Sequence, residues 1–523
     1  MTSRLVCISF DSPDLDMLQR GIDEGWMPAL ADVVERGRFV AIEDHQEILT
    51  APSWPTLVHG CEPTDHMLFR DAQLQSGTYR IEDVDLEQTD RPPFWSYLSD
   101  AGLRSTIVSV YGGRPLPGLR GTQIVGWGSH DPFSKTIGQW SNPPDLIRSL
   151  ERDLGKREIR HGFRIPTTAR EFREMRERCI RGTEQQTVAL LRLLDETEWD
   201  FFFGSFADCH DAGHFLRCFA DPRDPDCPPE VEEALSDALP TIYRKVDAGI
   251  GQIVDRLPPD TCLMLVSPYA MTCYAHAVAV VDPVLERAGL LARVTGGPSG
   301  GARVSALGAA RRVVHALVPA RLRPALGGLV PRDRWVKDLV YADIDWQRTS
   351  AFALLSDGSS AIRLNVEGRE PSGTVSPGEH YDRVCDEIKA IFAELVASDD
   401  GLPMAEEIAR FDEVFGAPPG APFPDIMIRW RERYRVPSVR SERLGEVDVV
   451  SEDPRTANHR SPGFIIGLGQ DIEASGSTRL DGPPARLVDF AATVLARLGL
   501  EQPPTLTGHP LEILGAGVPA SRR

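Results

Sequence analysis

The chain has 523 residues, 41% hydrophobic and 26% charged, enough for one large α/β core with an insertion or for a few ordinary domains. Its 57 Lys and Arg against 77 Asp and Glu leave a net charge of −20, which repels phosphate backbones and argues against a nucleic acid partner. No apolar run approaches the roughly 18 residues of a membrane span, so an integral membrane protein is excluded.

Met1 to Arg4 runs directly into apolar Leu5 to Phe10, too short for a signal segment and without a small-residue cleavage site. It reads as the first strand of a cytoplasmic protein. Nine cysteines, from Cys7 to Cys385 with no CxxC pair, fit reduced and mostly buried thiols. After the strand come Asp11, a Ser12-Pro13-Asp14 loop and a helical pattern through Leu15, Leu18 and Ile22. The strand-and-helix alternation recurs at Ser105 to Val110, Asp200 to Phe206 and Cys262 to Ser267, each preceded by a helix. This predicts an α/β fold with a doubly wound, mainly parallel sheet, whose ligands sit beyond the carboxyl ends of strands. The residues after Phe10, Phe206 and Val266 are therefore the ones to inspect.

Thr50 precedes Ala51-Pro52-Ser53-Trp54, where the proline favours a first helical turn. Its hydroxyl reads either as a nucleophile or phosphate contact at a helix N-terminus, or as a plain N-cap. His210 and His214 follow the strand ending at Phe206, and on a helix their four-residue spacing puts both on one face within reach of one ion. Asp208 and Asp211 flank them as candidate carboxylates fixing the tautomers, with Asp211 a candidate general base. His210-Asp211-Ala212-Gly213-His214 also has the outline of a zinc protease helix, which Gly213 weakens.

From Arg293 to Arg334 the composition turns Gly-rich and then basic, with almost no acid. It reads as a lid attracting a small anionic substrate, or as a solvated helical insertion. The expected organisation is a first core segment over 1–292 with an insertion near 130–183, a basic cap over 293–345, and a second core segment over 346–523. Both insertions are candidate pocket walls, and Trp54 or Trp127 could stack on a flat ring. His459, in Asn458-His459-Arg460-Ser461-Pro462-Gly463, precedes the apolar strand Phe464 to Leu468 and is a candidate third ligand. Leu487 to Leu498 has helical periodicity and ends at Gly499.

Taken in order, these segments resemble the type I phosphodiesterase and nucleotide pyrophosphatase branch of the alkaline phosphatase superfamily. Val6 to Asp11 resembles its first metal-binding strand, Leu49-Thr50-Ala51-Pro52-Ser53-Trp54 its nucleophile segment, and Pro63-Thr64-Asp65-His66 the turn that follows. Asn365 with Gly368 to Gly373, Pro424-Asp425-Ile426, Asn458 to Gly463, and Leu498 to Leu511 resemble later landmarks. The resemblance implies two metals, commonly zinc, about 4 Å apart, with a Thr or Ser nucleophile on one. By position, Asp11 and Thr50 would belong to the nucleophile metal, and His214 and His459 to the other.

Two departures follow. The family's Asp four residues before the helix histidine is His210, giving a three-histidine set, and its Ser-Asp-His-Gly reads Ser267-Pro268-Tyr269-Ala270. Proline carries no ligand atom and a neutral phenol replaces imidazole poorly, so one divalent metal per chain is expected, zinc first, with iron or manganese also suited. The metal ligands are expected to be His210, His214, His459 and Asp11, the catalytic residues Thr50 and Asp211, and the substrate-binding residues Ser53 and Tyr269. His276 is a remote replacement ligand, otherwise a core or surface histidine. The expected activity is metal-dependent hydrolysis of a phosphoester or phosphodiester. The alternatives are a single-metal enzyme repurposed for lyase, cyclisation or transfer chemistry, and a noncatalytic member.

Overall fold

The computed structural model describes residues 4–515 apart from 44–47, 85, 87–88, 129–136, 158–165, 222, 226, 228–234, 295–339, 417–419, 421 and 452. The arginine-rich run expected as a cap, from Arg303 to Arg334, lies outside the described residues, as does His130.

The strands of the two larger sheets and of a short ribbon, in chain order, are β1 (Arg4–Phe10), β2 (Arg38–Ile42), β3 (Ser105–Val108), β4 (Gly121–Val125), β5 (Trp140–Asn142), β6 (Phe201–Phe206), β7 (Thr261–Ser267), β8 (Ala270–Cys273), β9 (Ala351–Leu354), β10 (Ser360–Leu364), β11 (Ala405–Arg410), β12 (Ile426–Trp430), β13 (Ala457–Arg460), β14 (Gly463–Leu468) and β15 (Pro484–Ala485). Nine of them form one sheet in the order β15-β2-β14-β7-β1-β6-β3-β4-β5. β1 runs parallel to β6 and β7, and β3 parallel to β4 and β6. β14 runs antiparallel between β2 and β7, and β5 antiparallel to β4. The sheet is thus mixed but mostly parallel, with the α/β character that the strand-and-helix alternation dictates.

The central strands are buried and mostly apolar because both faces are covered. Side chains alternate along a strand, so Val6, Ile8 and Phe10 pack with Phe202, Leu263 and Leu265 on one face, while Leu5 and Cys7 pack with Phe203, Met264 and Val266 on the other. Helices α1 (Leu15–Asp23), α2 (Ser53–His59), α3 (Ala169–Glu196), α4 (Asp208–Leu216), α5 (Ala238–Val254) and α6 (Asp489–Arg497) complete the layers. α1, α3, α4 and α5 supply the first face through residues such as Leu18, Leu190, Leu216 and Val246, and α2 and α6 the second through Leu57 and Phe490. All nine cysteines are free thiols, and most are buried in these layers.

A second antiparallel sheet, β9-β10-β12-β11, has its own core around Phe352, Ile362, Ile388 and Ile428. The turn between β9 and β10, residues 355–359, reaches back toward the main sheet, where the Asp357 carbonyl meets Thr50.

Register gathers the functional residues. Phe10 stands opposite Phe206, and Ser9 opposite Val266, so the segments after β1, β6 and β7 emerge side by side. β14 runs the other way, with Phe464 opposite Ser267, which brings the residues just before it to the same edge. There β8 and β13 form a two-stranded ribbon that pairs Met271 with His459.

Candidate metal centre

α4 begins two residues after β6, and all nine of its residues are buried. Its period puts His210 and His214 on one face, and the ribbon delivers His459 opposite them. His210 Nε2 lies 3.1 Å from His214 Nε2 and 3.0 Å from His459 Nε2, and one nitrogen from each of the three rings lies within 4.8 Å of the others.

The outer nitrogens fix the tautomers. His214 Nδ1 lies 2.8 Å from the Ala457 carbonyl, which can only accept, so Nδ1 carries the hydrogen and Nε2 a lone pair. His210 Nδ1 lies 2.9 Å from Asp11 Oδ2, a carboxylate acceptor, with the same consequence. The two Nε2 atoms, 3.1 Å apart, therefore face each other across a position that a proton or a metal cation can take. Imidazoles held from outside by a carboxylate and a backbone carbonyl are the arrangement of metal-binding histidines, so the residues fit a divalent cation. Burial, then the neighbouring histidine charge, pulls His214 and His459 well below the ordinary imidazole range and keeps them neutral. Burial also pulls His210 down, but the charge and hydrogen bond of Asp11 outweigh it and raise its pKa.

Asp11, expected as a ligand, stands behind His210. Its Oδ2 takes the imidazole N–H and its Oδ1 accepts from Trp54 Nε1 at 3.2 Å, which leaves Asp11 outside the group of converging nitrogens. It orients the His210 ring. The flanking carboxylates, expected to fix tautomers, have other partners. Asp208 accepts from Arg157 at 3.0 Å, and Asp211, expected as a general base, accepts from Arg178 of α3 at 3.2 Å. On the helix Asp211 is about 100° from His210 and about 60° from His214, and Arg178 of the neighbouring α3 takes its carboxylate.

Thr50 is buried, and its hydroxyl does not cap α2, whose N-cap is Pro52. Instead Thr50 Oγ1 donates to the Asp357 carbonyl at 3.1 Å. Thr50 and His459 line one cleft, together with Tyr274, Ser359, Trp430 and Asn458. Ser53, expected on the substrate, lines a separate cavity with Thr56, Glu62 and Arg486. Tyr269, also expected on the substrate, is buried with its ring centroid 4.4 Å from that of His459, and so backs that imidazole. Burial and then the nearby Asp11 charge push its phenol well above the ordinary range, so it stays protonated. Trp54 and Trp127 are both buried in the core rather than open for stacking. His276 is buried away from the cluster, with Nδ1 2.9 Å from Ser451 Oγ.

Sequence reasoning missed Asp357. Its carboxylate lies 3.0 Å from Arg70 Nη2 and 3.1 Å from Arg455 Nη1. Burial would raise its pKa, but the two guanidiniums outweigh that and hold it far below the carboxylate range. In the sequence, Ser356-Asp357-Gly358-Ser359 reads only as a hairpin turn.

The family model described as type I phosphodiesterase / nucleotide pyrophosphatase matches residues 5–438. No curated protein matches the chain. Among solved structures, phosphonoacetate hydrolase from Sinorhizobium meliloti 1021, in complexes with phosphonoformate and with phosphonoacetate, is similar at 14% identity, covering 94% of this chain and 95% of that one, with a TM-score of 0.48. Human ectonucleotide pyrophosphatase / phosphodiesterase 5 is similar at 13% identity over 97% of both chains, with a TM-score of 0.45. With four fifths of its length under that family model, the chain belongs to the type I phosphodiesterase / nucleotide pyrophosphatase family.

Proposed function

We propose that this chain hydrolyses a small phosphoester or phosphodiester with one divalent cation held by His210, His214 and His459. The observation that carries the reading is the convergence of three imidazole nitrogens with the tautomers of His210 and His214 fixed from outside. A cation there supplies Lewis acidity toward a phosphoryl oxygen and acidifies an oxygen nucleophile beside it. Zinc suits three nitrogen donors best, with iron or manganese also compatible.

Within this reading Thr50 is the nucleophile. Its hydrogen bond to the Asp357 carbonyl fixes the hydroxyl rotor, and its place on the cleft wall beside His459 lets a substrate reach both. Pro268 and the protonated Tyr269 offer no donors for a second cation, which supports a single-metal site. The same two positions favour a second reading, a single-metal site repurposed for other chemistry, because a two-metal clamp on attacking and leaving oxygens is lost while three imidazoles are kept.

The test is turnover of an activated aryl phosphodiester by metal-loaded protein and by Thr50→Ala. Loss of turnover in the variant is expected; normal turnover removes the covalent step. No turnover by wild-type protein that holds one metal equivalent shifts the case to the repurposed site.

A further inference from the structure

We propose that Asp357 and Arg455 are positioning residues that set Thr50 against the three imidazoles, an inference resting on the reading of Thr50 as nucleophile. Asp357 comes from the β9–β10 turn of the second sheet and Arg455 from the segment just before β13. Neither belongs to the elements that carry Thr50, His210 or His214.

The contacts form a closed path. Thr50 Oγ1 donates to the Asp357 carbonyl at 3.1 Å, and the Asp357 side chain takes Arg455 Nη1 at 3.1 Å. Arg455 is fixed in turn by Asp453, which accepts from its Nε at 2.9 Å and its Nη2 at 2.6 Å. The next two residues hold the metal helix: Thr456 N donates to the His214 carbonyl at 3.0 Å, and the Ala457 carbonyl accepts from His214 Nδ1 at 2.8 Å. Two residues further on is His459. The run from Arg455 to His459 therefore carries the clamp on the Thr50 side, the acceptor that fixes one imidazole, and a third imidazole.

Gly358 closes the path from the other side. Its φ of +73° is left-handed, and a Cβ there would lie 2.6 Å from the His459 carbonyl, so the turn can lie directly on the backbone of His459 only with glycine. Arg70 adds a second guanidinium to Asp357, with Nη2 at 3.0 Å. Burying ion pairs of this kind adds little net stability, because desolvation offsets the attraction, but each pair has one satisfactory geometry. Here that geometry sets the separation of a hydroxyl and an imidazole cluster that come from distant parts of the chain.

The experiment uses the full chain loaded with zinc and an aryl phosphodiester. Asp357→Asn keeps the backbone carbonyl and the side-chain volume but removes the charge that holds both guanidiniums. The expected result is a kcat lower by roughly tenfold to hundredfold, with KM and metal equivalents per chain unchanged. Arg455→Gln should lose as much, Arg455→Lys should recover part of it, and the double variant Asp357→Asn with Arg455→Gln should be no worse than either single one, as for two residues acting as a unit. Wild-type kcat in Asp357→Asn overturns the proposal, as do losses that multiply in the double variant. Loss of the metal in Asp357→Asn also overturns it, since the pair would then support the histidines rather than Thr50. Full turnover in Thr50→Ala, or none in the wild type, removes the underlying reading instead, and the metal equivalents tell the two failures apart.

Discussion

His214 donates its Nδ1 hydrogen to the Ala457 carbonyl at 2.8 Å, which aims the lone pair of its Nε2 at His210 Nε2, 3.1 Å away. The Asp11 carboxylate imposes the same tautomer on His210. With both outer nitrogens donating, the two facing Nε2 atoms can share only a proton or a metal cation, and three converging nitrogens suit the cation.

Metal content is the most direct consequence. Protein purified without added metal is expected to carry one equivalent per chain by elemental mass spectrometry, and His214→Ala to carry none. Two equivalents would mean that Pro268 and Tyr269 do not prevent a dinuclear site. An empty wild-type protein that also refuses zinc, manganese and iron(II) would favour a noncatalytic role.

In the proposed site Asp11 would support the metal through His210. Asp11→Ala frees the imidazole to change tautomer and to rotate, and should weaken metal binding by roughly tenfold to hundredfold in competition with a chelator. An unchanged affinity would show that the hydrogen bond does not tune the ligand.

Pro268 and Tyr269 stand where the family resemblance places two further donors. Tyr269 lies within electrostatic reach of Asp11, so a donor set rebuilt there would share that carboxylate. Pro268→Asp combined with Tyr269→His is expected to raise metal content from one equivalent to two. A content that stays at one would show that more than these two positions was lost.

His59, in the last turn of α2, provides a pH effect independent of the metal centre. Burial, more than any nearby charge, pushes its pKa down to about 4 from the ordinary 6.5. The unfolded chain therefore takes up a proton below about pH 6.5 that the folded chain takes up only near pH 4, and stability falls as pH drops through this window by up to about 3 kcal/mol. Thermal midpoints of wild-type and His59→Phe protein between pH 7 and pH 4 should diverge, with the variant flatter. Parallel curves would contradict the assignment.

How much of the site is legible in the sequence depends on the range of the interaction. The strand of Leu5 to Phe10, the helix carrying His210 and His214, and the place of both at strand ends follow from periodicity, because period two and period 3.6 are local properties of the backbone. That Asp211 pairs with Arg178 is not local, because the guanidinium comes from the neighbouring helix, 33 residues away in the chain.

The sequence by itself determined the alternating α/β architecture, the family landmarks and the residue types of a three-histidine site. The tertiary structure decided which residues stand together there. It put Asp11 behind His210 across 199 residues of chain, brought the Asp357 carbonyl to Thr50 across 307, and set Tyr269 against the ring of His459. These pairings depend on strand register and on the docking of one sheet against another, where a shift of one residue reverses the face of every side chain, and no local pattern encodes that choice.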